Sequence, residues 1–261
     1  MSIRDAIYQS VPKSVQVRHW IQHELRSGEP ELRLVGKLLK GSGIVVDVGA
    51  NTGIYSVIAL QNRRRVAAFE PVPEEATRLR RLIGTRGTVH QVALSDRCGK
   101  AVLHVPYASE SDDSESDDIT TRSSLEADID SDLRHRDIEV KVATLDSFDL
   151  SDIAFMKIDV EGHELSVLKG AVETIKRSQP NLLVEVEESR IPGCFQAVSN
   201  FLASLDYNGF WFDGKEMRSI NNFQPELQQE NRPRFGEKRL PIYINNFIWL
   251  PNGQGRPMEI K

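Results

Sequence analysis

Apolar and polar positions recur along this chain with two periods, and the changes between them lay out its elements. Across residues 1–43 the apolar positions Trp20, Ile21, Leu25, Leu32, Leu34, Val35, Leu38 and Leu39 fall at helical spacing. They predict a helical lead-in, stopped by Gly41-Ser42-Gly43. Short apolar runs then alternate with amphipathic stretches. The runs at 44–48, 66–70, 89–94, 153–159 and 181–187 predict strands. The stretches at 55–61, 73–83, 164–177 and 195–205 predict helices. Such alternation predicts an α/β fold, with a mostly parallel central sheet and helices on both faces. Near the end, Phe210-Trp211-Phe212 and the apolar run 242–250 flank a polar stretch at 213–240. They predict an antiparallel pair at the C-terminal sheet edge, joined by a long excursion. No internal repeat or linker divides the chain, so residues 44–261 read as one domain.

One segment breaks the pattern. Between Glu110 and Asp132 stand ten acidic residues against the single Arg122. So little apolar surface cannot offset the entropy of ordering, which predicts a mobile acidic insertion over 108–135. Arg122-Ser123-Ser124-Leu125 is the part best able to order.

The stretch Val46-Asp47-Val48-Gly49-Ala50-Asn51-Thr52-Gly53 carries the first chemistry. It reads as a buried strand, a tight glycine turn and a helix start, the place where an open α/β sheet holds a ligand. Asn51 stands where a pyrophosphate-binding loop needs its middle glycine, and no third glycine follows at Ile54 or Tyr55. An adenosyl cofactor without phosphates fits better than NAD. Glu70 closes the next strand, where a carboxylate can accept both ribose hydroxyls.

Composition narrows the field. The 261 residues are 39% hydrophobic and 27% charged, ordinary for a globular domain. A net charge of −5 argues against a nucleic-acid partner held through its phosphates. Cys98 and Cys194 are the only cysteines and neither has a second at a metal-ligand spacing, which argues against a zinc site and a disulfide framework. The N-terminus lacks a signal-peptide core and no apolar run is long enough to span a membrane, so a reducing cytoplasm is the expected setting.

A second informative stretch is Lys157-Ile158-Asp159-Val160-Glu161-Gly162-His163-Glu164. Asp159 ends a strand, and Glu161 and His163 follow at its ligand side. Glu164 can also serve simply to charge the next helix's first turn. Glu185, flanked by apolar residues in its strand, is costly unless paired or used.

These motifs, taken with Phe69-Glu70-Pro71, Ala93-Leu94-Ser95-Asp96, Thr144-Leu145-Asp146-Ser147-Phe148 and Leu168-Lys169-Gly170-Ala171, resemble the FkbM family of S-adenosylmethionine-dependent methyltransferases. The match runs in order from about residue 29 to 190 and resumes at Asn246-Phe247-Ile248-Trp249-Leu250-Pro251. The resemblance implies a class I methyltransferase Rossmann-like fold and S-adenosylmethionine as methyl donor. The acceptor it implies is a hydroxyl on a sugar or natural product. By position it places Asp47, Gly49, Asn51 and Gly53 at the cofactor's methionine end and Glu70 at the ribose. Ser95 and Asp96 fall near the adenine, and Asp159 beside the sulfonium. The acidic insertion replaces what is usually a shorter segment, so acceptor specificity does not transfer.

Methyl transfer to a hydroxyl needs in-line alignment and a route for the proton. His163 is the favoured base, because imidazoles titrate near neutral pH, with Asp159 and Glu161 beside it. Asp159 and Glu185 could instead hold a divalent ion, which oxygen ligands would make Mg²⁺, Ca²⁺ or Mn²⁺. The rival from another class is a non-catalytic adenosyl-binding module. An edge strand near 242–248 could support a homodimer.

Overall fold

Buried apolar strands set the frame of the protein, seen in a computed structural model that describes residues 13–106, 123–126, 135–229 and 243–253. Strands β1 (Ile44–Val48), β2 (Val66–Phe69), β7 (Ile153–Ile158) and β8 (Asn181–Glu185) are buried along almost their full length. Continuous burial is what a parallel sheet covered on both faces requires. With β3 (Gly87–His90), β9 (Tyr207–Phe212), β10 (Met217–Ser219) and β11 (Asn246–Pro251), they form a sheet in the order β10-β9-β11-β8-β7-β1-β2-β3. Neighbours from β3 to β8 pair in parallel, while β11 runs antiparallel to both β8 and β9.

One face carries α1 (Lys13–Ser27), the short α2 (Val35–Leu38), α3 (Ile54–Gln61) and α4 (Pro73–Ile83), packed over Val45, Ala68, Phe155 and Ile248. The sequence of α4 explains its ends and its face. Pro73 opens it, Glu74 and Glu75 sit in the first turn, and Arg80 and Arg81 in the last, as the helix dipole favours. Ala76, Leu79 and Ile83 form its buried stripe. The other face carries α5 (Glu164–Lys169), α6 (Val172–Ser178) and α7 (Cys194–Ser204), over Val46, Met156, Val184 and Trp249. No helix among the described residues is long and apolar enough to cross a membrane.

The structure departs from the sequence pattern in four places. The apolar run 89–94 is two strands, because the chain leaves the main sheet after His90 and β4 (Ala93–Leu94) joins another. That smaller sheet, of order β4-β6-β5, is built on β5 (Gly99–Pro106) and β6 (His135–Ala143). Leu103, Val105, Val140 and Val142 give it a core of its own. The expected helix 164–177 is broken at Gly170, where a Cβ would lie 1.9 Å from the Ser95 carbonyl oxygen. The Asp146 carboxylate then caps the second half, accepting from the backbone N–H of Thr174 at 2.8 Å and of Glu173 at 3.2 Å. Finally, β11 is not an open edge: it lies between β8 and β9, so the edge that suggested a dimer is paired on both sides. Most of the acidic insertion 108–135, with Arg122, lies outside the described residues, as do the start of the lead-in (1–12) and the last part of the excursion (230–240); its first part carries β10.

Candidate functional site

The chain runs from β1 outward through β2 to β3, then returns to lay β7 on the opposite side of β1. Loops leaving β1 and β7 must therefore diverge, which opens a crevice at their carboxyl ends. The crevice and the open space at its mouth together span about 530 Å³. Gly49, Asn51, Glu70, Asp159, Glu161 and His163 all line it.

Its floor depends on close backbone approach. Gly49 has φ +72°, and a Cβ there would stand 1.8 Å from the Asp159 carbonyl oxygen. Only glycine lets the two loops touch. Asp47 stands behind this turn, 1% exposed, rather than on the crevice wall. Its Oδ2 accepts from the Ser56 hydroxyl at 2.6 Å and the Ser56 backbone N–H at 3.0 Å. Burial pushes this carboxyl up to about 6. Asp47 thus ties the end of β1 to the first turn of α3. Gly53 likewise shapes the loop: at φ +84° it begins α3 against Leu79 and Leu82.

Glu70 is the polar group of the β2 end, 4% exposed. Its Oε2 accepts from the Asn51 N–H and its Oε1 from the Val72 N–H, each at 2.9 Å. Burial raises it from 4.5 to about 7 against those two bonds. Each oxygen keeps a second lone pair able to accept a hydroxyl. Asn51 holds a left-handed φ of 43°, and its buried Oδ1 has no protein donor. Beside Glu70 runs an apolar wall of Phe69, Val92, Ala93, Leu94, Leu103 and Leu125. No local pattern marks this wall, since its members come from three strands and two loops. Ser95 and Asp96 are not part of it. Ser95 is buried behind it, and its hydroxyl lies 2.8 Å from His163 Nε2 and 3.2 Å from Asp96 Oδ1.

At the β7 end, Lys157 is the group that the pattern did not single out. It is 1% exposed and donates to Asn246 Oδ1 at 2.7 Å. Its ammonium stands 3.5 Å from Asp159 and 4.0 Å from Glu185. Burial alone would lower its pKa; the charges of Asp159 and Glu185 outweigh that and hold it above the usual lysine range. Burial also raises Glu185 well above the carboxylate range, assisted by the charge of Asp159 and opposed by Lys157. The positive charge that a divalent ion would bring to Asp159 and Glu185 is thus already supplied by an ammonium. Glu185 stands back from the crevice, whereas Asp159 opens onto it.

Glu161 faces the crevice in a left-handed turn (φ 55°) and pairs with Arg190 at 2.6 Å. Glu164 folds back to accept from the Gly162 N–H at 2.9 Å and the Val160 N–H at 3.3 Å, so it braces this turn. His163 is engaged at both ring nitrogens, Nε2 by Ser95 and Nδ1 by Glu126 at 2.7 Å. Glu126 belongs to residues 123–126, which lie across the mouth. Ser124 exchanges backbone bonds with His104 and donates its hydroxyl to the Glu161 carbonyl at 2.7 Å.

A mostly parallel sheet with the antiparallel β11 inserted between β8 and β9 and the antiparallel β10 added at the edge, a glycine loop after its first strand and an acid ending its second define a class I methyltransferase fold. More narrowly, the family model described as the methyltransferase FkbM domain matches residues 47–211, and the chain belongs to that family. A crystal structure of methyltransferase FkbM from Methylobacillus flagellatus KT is similar at 19% identity and a TM-score of 0.49, over 94% of this chain and 57% of that one. This chain therefore spans less than two thirds of that relative's length. A SAM-dependent methyltransferase from Aquifex aeolicus is similar at 14% identity and TM-score 0.41, covering 89% of this chain and 96% of that one. Magnesium protoporphyrin IX methyltransferase from Synechocystis PCC 6803 with bound SAM gives 10% identity and TM-score 0.45, covering 89% and 84%. No curated protein matches the chain significantly.

Proposed function

We propose that the protein transfers a methyl group from S-adenosylmethionine to a hydroxyl of a small-molecule or glycan acceptor. The observation that carries the donor assignment is Glu70, buried at the end of β2 and fixed by two backbone N–H groups beside the glycine turn. Its remaining lone pairs suit a pair of ribose hydroxyls, and the neighbouring apolar wall suits an adenine ring. The unpartnered Oδ1 of Asn51 is an acceptor waiting for a donor, as the cofactor's amino group would be. When bound, the cofactor supplies an activated methyl group on a sulfonium.

Asp159 is the residue we assign to take the acceptor's proton. It opens on the crevice, and Lys157 on its far side keeps its charge compensated. Glu161, held by Arg190, is placed to accept a second hydroxyl and orient the acceptor. Carboxylates arranged in this way suit a polyol, whose hydroxyls donate to them. A second reading makes His163 the base, because Glu126 orients its ring as an acid orients a catalytic imidazole.

Calorimetric titration with S-adenosylmethionine tests the donor site. Wild type should bind, and Glu70→Ala should bind at least roughly tenfold more weakly, a loss of about 1.4 kcal/mol. Wild-type affinity should also weaken below about pH 7, where Glu70 takes up a proton and loses an acceptor. Equal binding by both proteins would remove Glu70 from the site. Screening sugars and polyols by mass spectrometry for a gain of one methyl group then tests the acceptor class. Asp159→Asn should abolish turnover while retaining cofactor. If His163→Ala does so instead, the second reading stands.

A further inference from the structure

Away from the crevice, the register of the β5–β6 ribbon brings two imidazoles and a carboxylate to one spot. His104 lies directly opposite Asp137, and His135 is two residues before Asp137 on the same strand. Side chains alternate across a strand, so residues 135 and 137 share a face. The inward positions are taken by Leu103, Val105, Val140 and Val142, which leaves His104, His135 and Asp137 on the outer face. His104 Nδ1 is 2.7 Å from Asp137 Oδ1, and His135 Nε2 is 3.7 Å from the same oxygen. The rings meet edge to face with centroids 5.2 Å apart. Ligand atoms from all three residues lie within 4.8 Å of one another.

A cross-strand histidine–aspartate pair alone would be ordinary sheet stabilisation. A second imidazole aimed at the same carboxylate oxygen changes the chemistry. We propose that His104, His135 and Asp137 form a site for a divalent transition metal, with zinc the best match. Two imidazoles and one carboxylate suit zinc and its neighbours, whereas calcium and magnesium prefer all-oxygen sets. Ligand atoms around tetrahedral zinc stand about 3.4 Å apart for bonds near 2.1 Å. The 2.7 Å contact would open by about 0.7 Å and the 3.7 Å contact close by about 0.3 Å, within the reach of side-chain rotation. The ion displaces the proton shared by His104 and Asp137, and water completes the coordination from the exposed side.

The position gives such an ion a role. The backbone of His104 holds Ser124 through two hydrogen bonds of 2.9 and 3.1 Å, and Ser124 reaches Glu161 across the mouth of the crevice. A metal here staples the ribbon that carries this cover. It needs no part in methyl transfer and stands apart from the donor-site reading.

The test is zinc titration of the full chain, freed of any histidine tag, against a chromophoric chelator. One equivalent should bind with a Kd in the micromolar range or below. His135→Ala and Asp137→Asn, both on the exposed face, should each weaken it at least roughly tenfold (about 1.4 kcal/mol). Cys98→Ser should not change it. Zinc should raise the Tm of the wild type and leave that of His135→Ala unmoved. Absence of stoichiometric binding, binding unchanged in both ribbon variants, or binding lost with Cys98→Ser would each overturn the site.

Discussion

A buried lysine decides the character of the acidic end of this crevice. Asp159 and Glu185 would be poor neighbours at low dielectric without the ammonium of Lys157, itself anchored by Asn246. Removing one member of a buried charge group leaves the others uncompensated. Lys157→Met should therefore destabilise the fold by about 3–5 kcal/mol, read as a lowered midpoint in urea. Adding Glu185→Gln should recover part of that loss, since one of the stranded carboxylates is gone. If the double variant is no more stable than Lys157→Met alone, the charge argument fails. Lys157 was in view in the sequence as part of a strand, but nothing in its local pattern shows which acids it meets. Glu185 lies 28 positions away on the next strand and Asn246 lies 89 away.

At the scale of elements, legibility followed periodicity. The helix at 73–83 was readable to the residue because Pro73, its terminal charges and its apolar stripe all agree. The break at Gly170 was not, because the groups that meet it are far off in the chain: the Gly170 carbonyl accepts from the Asp146 N–H, and a Cβ there would lie 1.9 Å from the Ser95 carbonyl oxygen. Asp146 then restores the helix by capping α6. Its replacement by alanine should cost about 1 kcal/mol, the usual worth of a helix cap. Thermal denaturation would measure this, and affinity for S-adenosylmethionine should be unchanged; a Tm equal to wild type would remove the capping role. The small sheet was missed for a related reason. Its strands β5 and β6 flank the acidic insertion, and the alternation in Ala101, Leu103 and Val105 was overshadowed by that break in pattern. Ser124 pairs with His104 through an isolated bridge, a contact no local signal announces.

For the whole molecule, carboxyl burial at the crevice shapes the response to pH. Asp47 is raised from 3.8 to about 6, and Glu70 and Glu164 from 4.5 to about 7, chiefly by burial. The folded chain therefore retains protons that the unfolded chain has already released. Stability contributed by these groups is full below about pH 4 and is lost as pH rises through 6 to 7. Urea unfolding should show the cofactor-free protein more stable at pH 5 than at pH 7.5, and Glu164→Gln should flatten that slope. A stability that climbs over this interval would contradict the assignment. The sequence by itself determined the parallel core, the glycine turn, the acids at the strand ends and the family, because buried strands and tight turns leave signals within a few residues. Tertiary structure alone decided the partners: which acids Lys157 neutralises, that Asp47 serves Ser56 instead of lining the crevice, that β11 is interior, and that three side chains converge on the β5–β6 ribbon. Those outcomes depend on strand order and register, which join residues far apart in the chain and are fixed only when the layers pack.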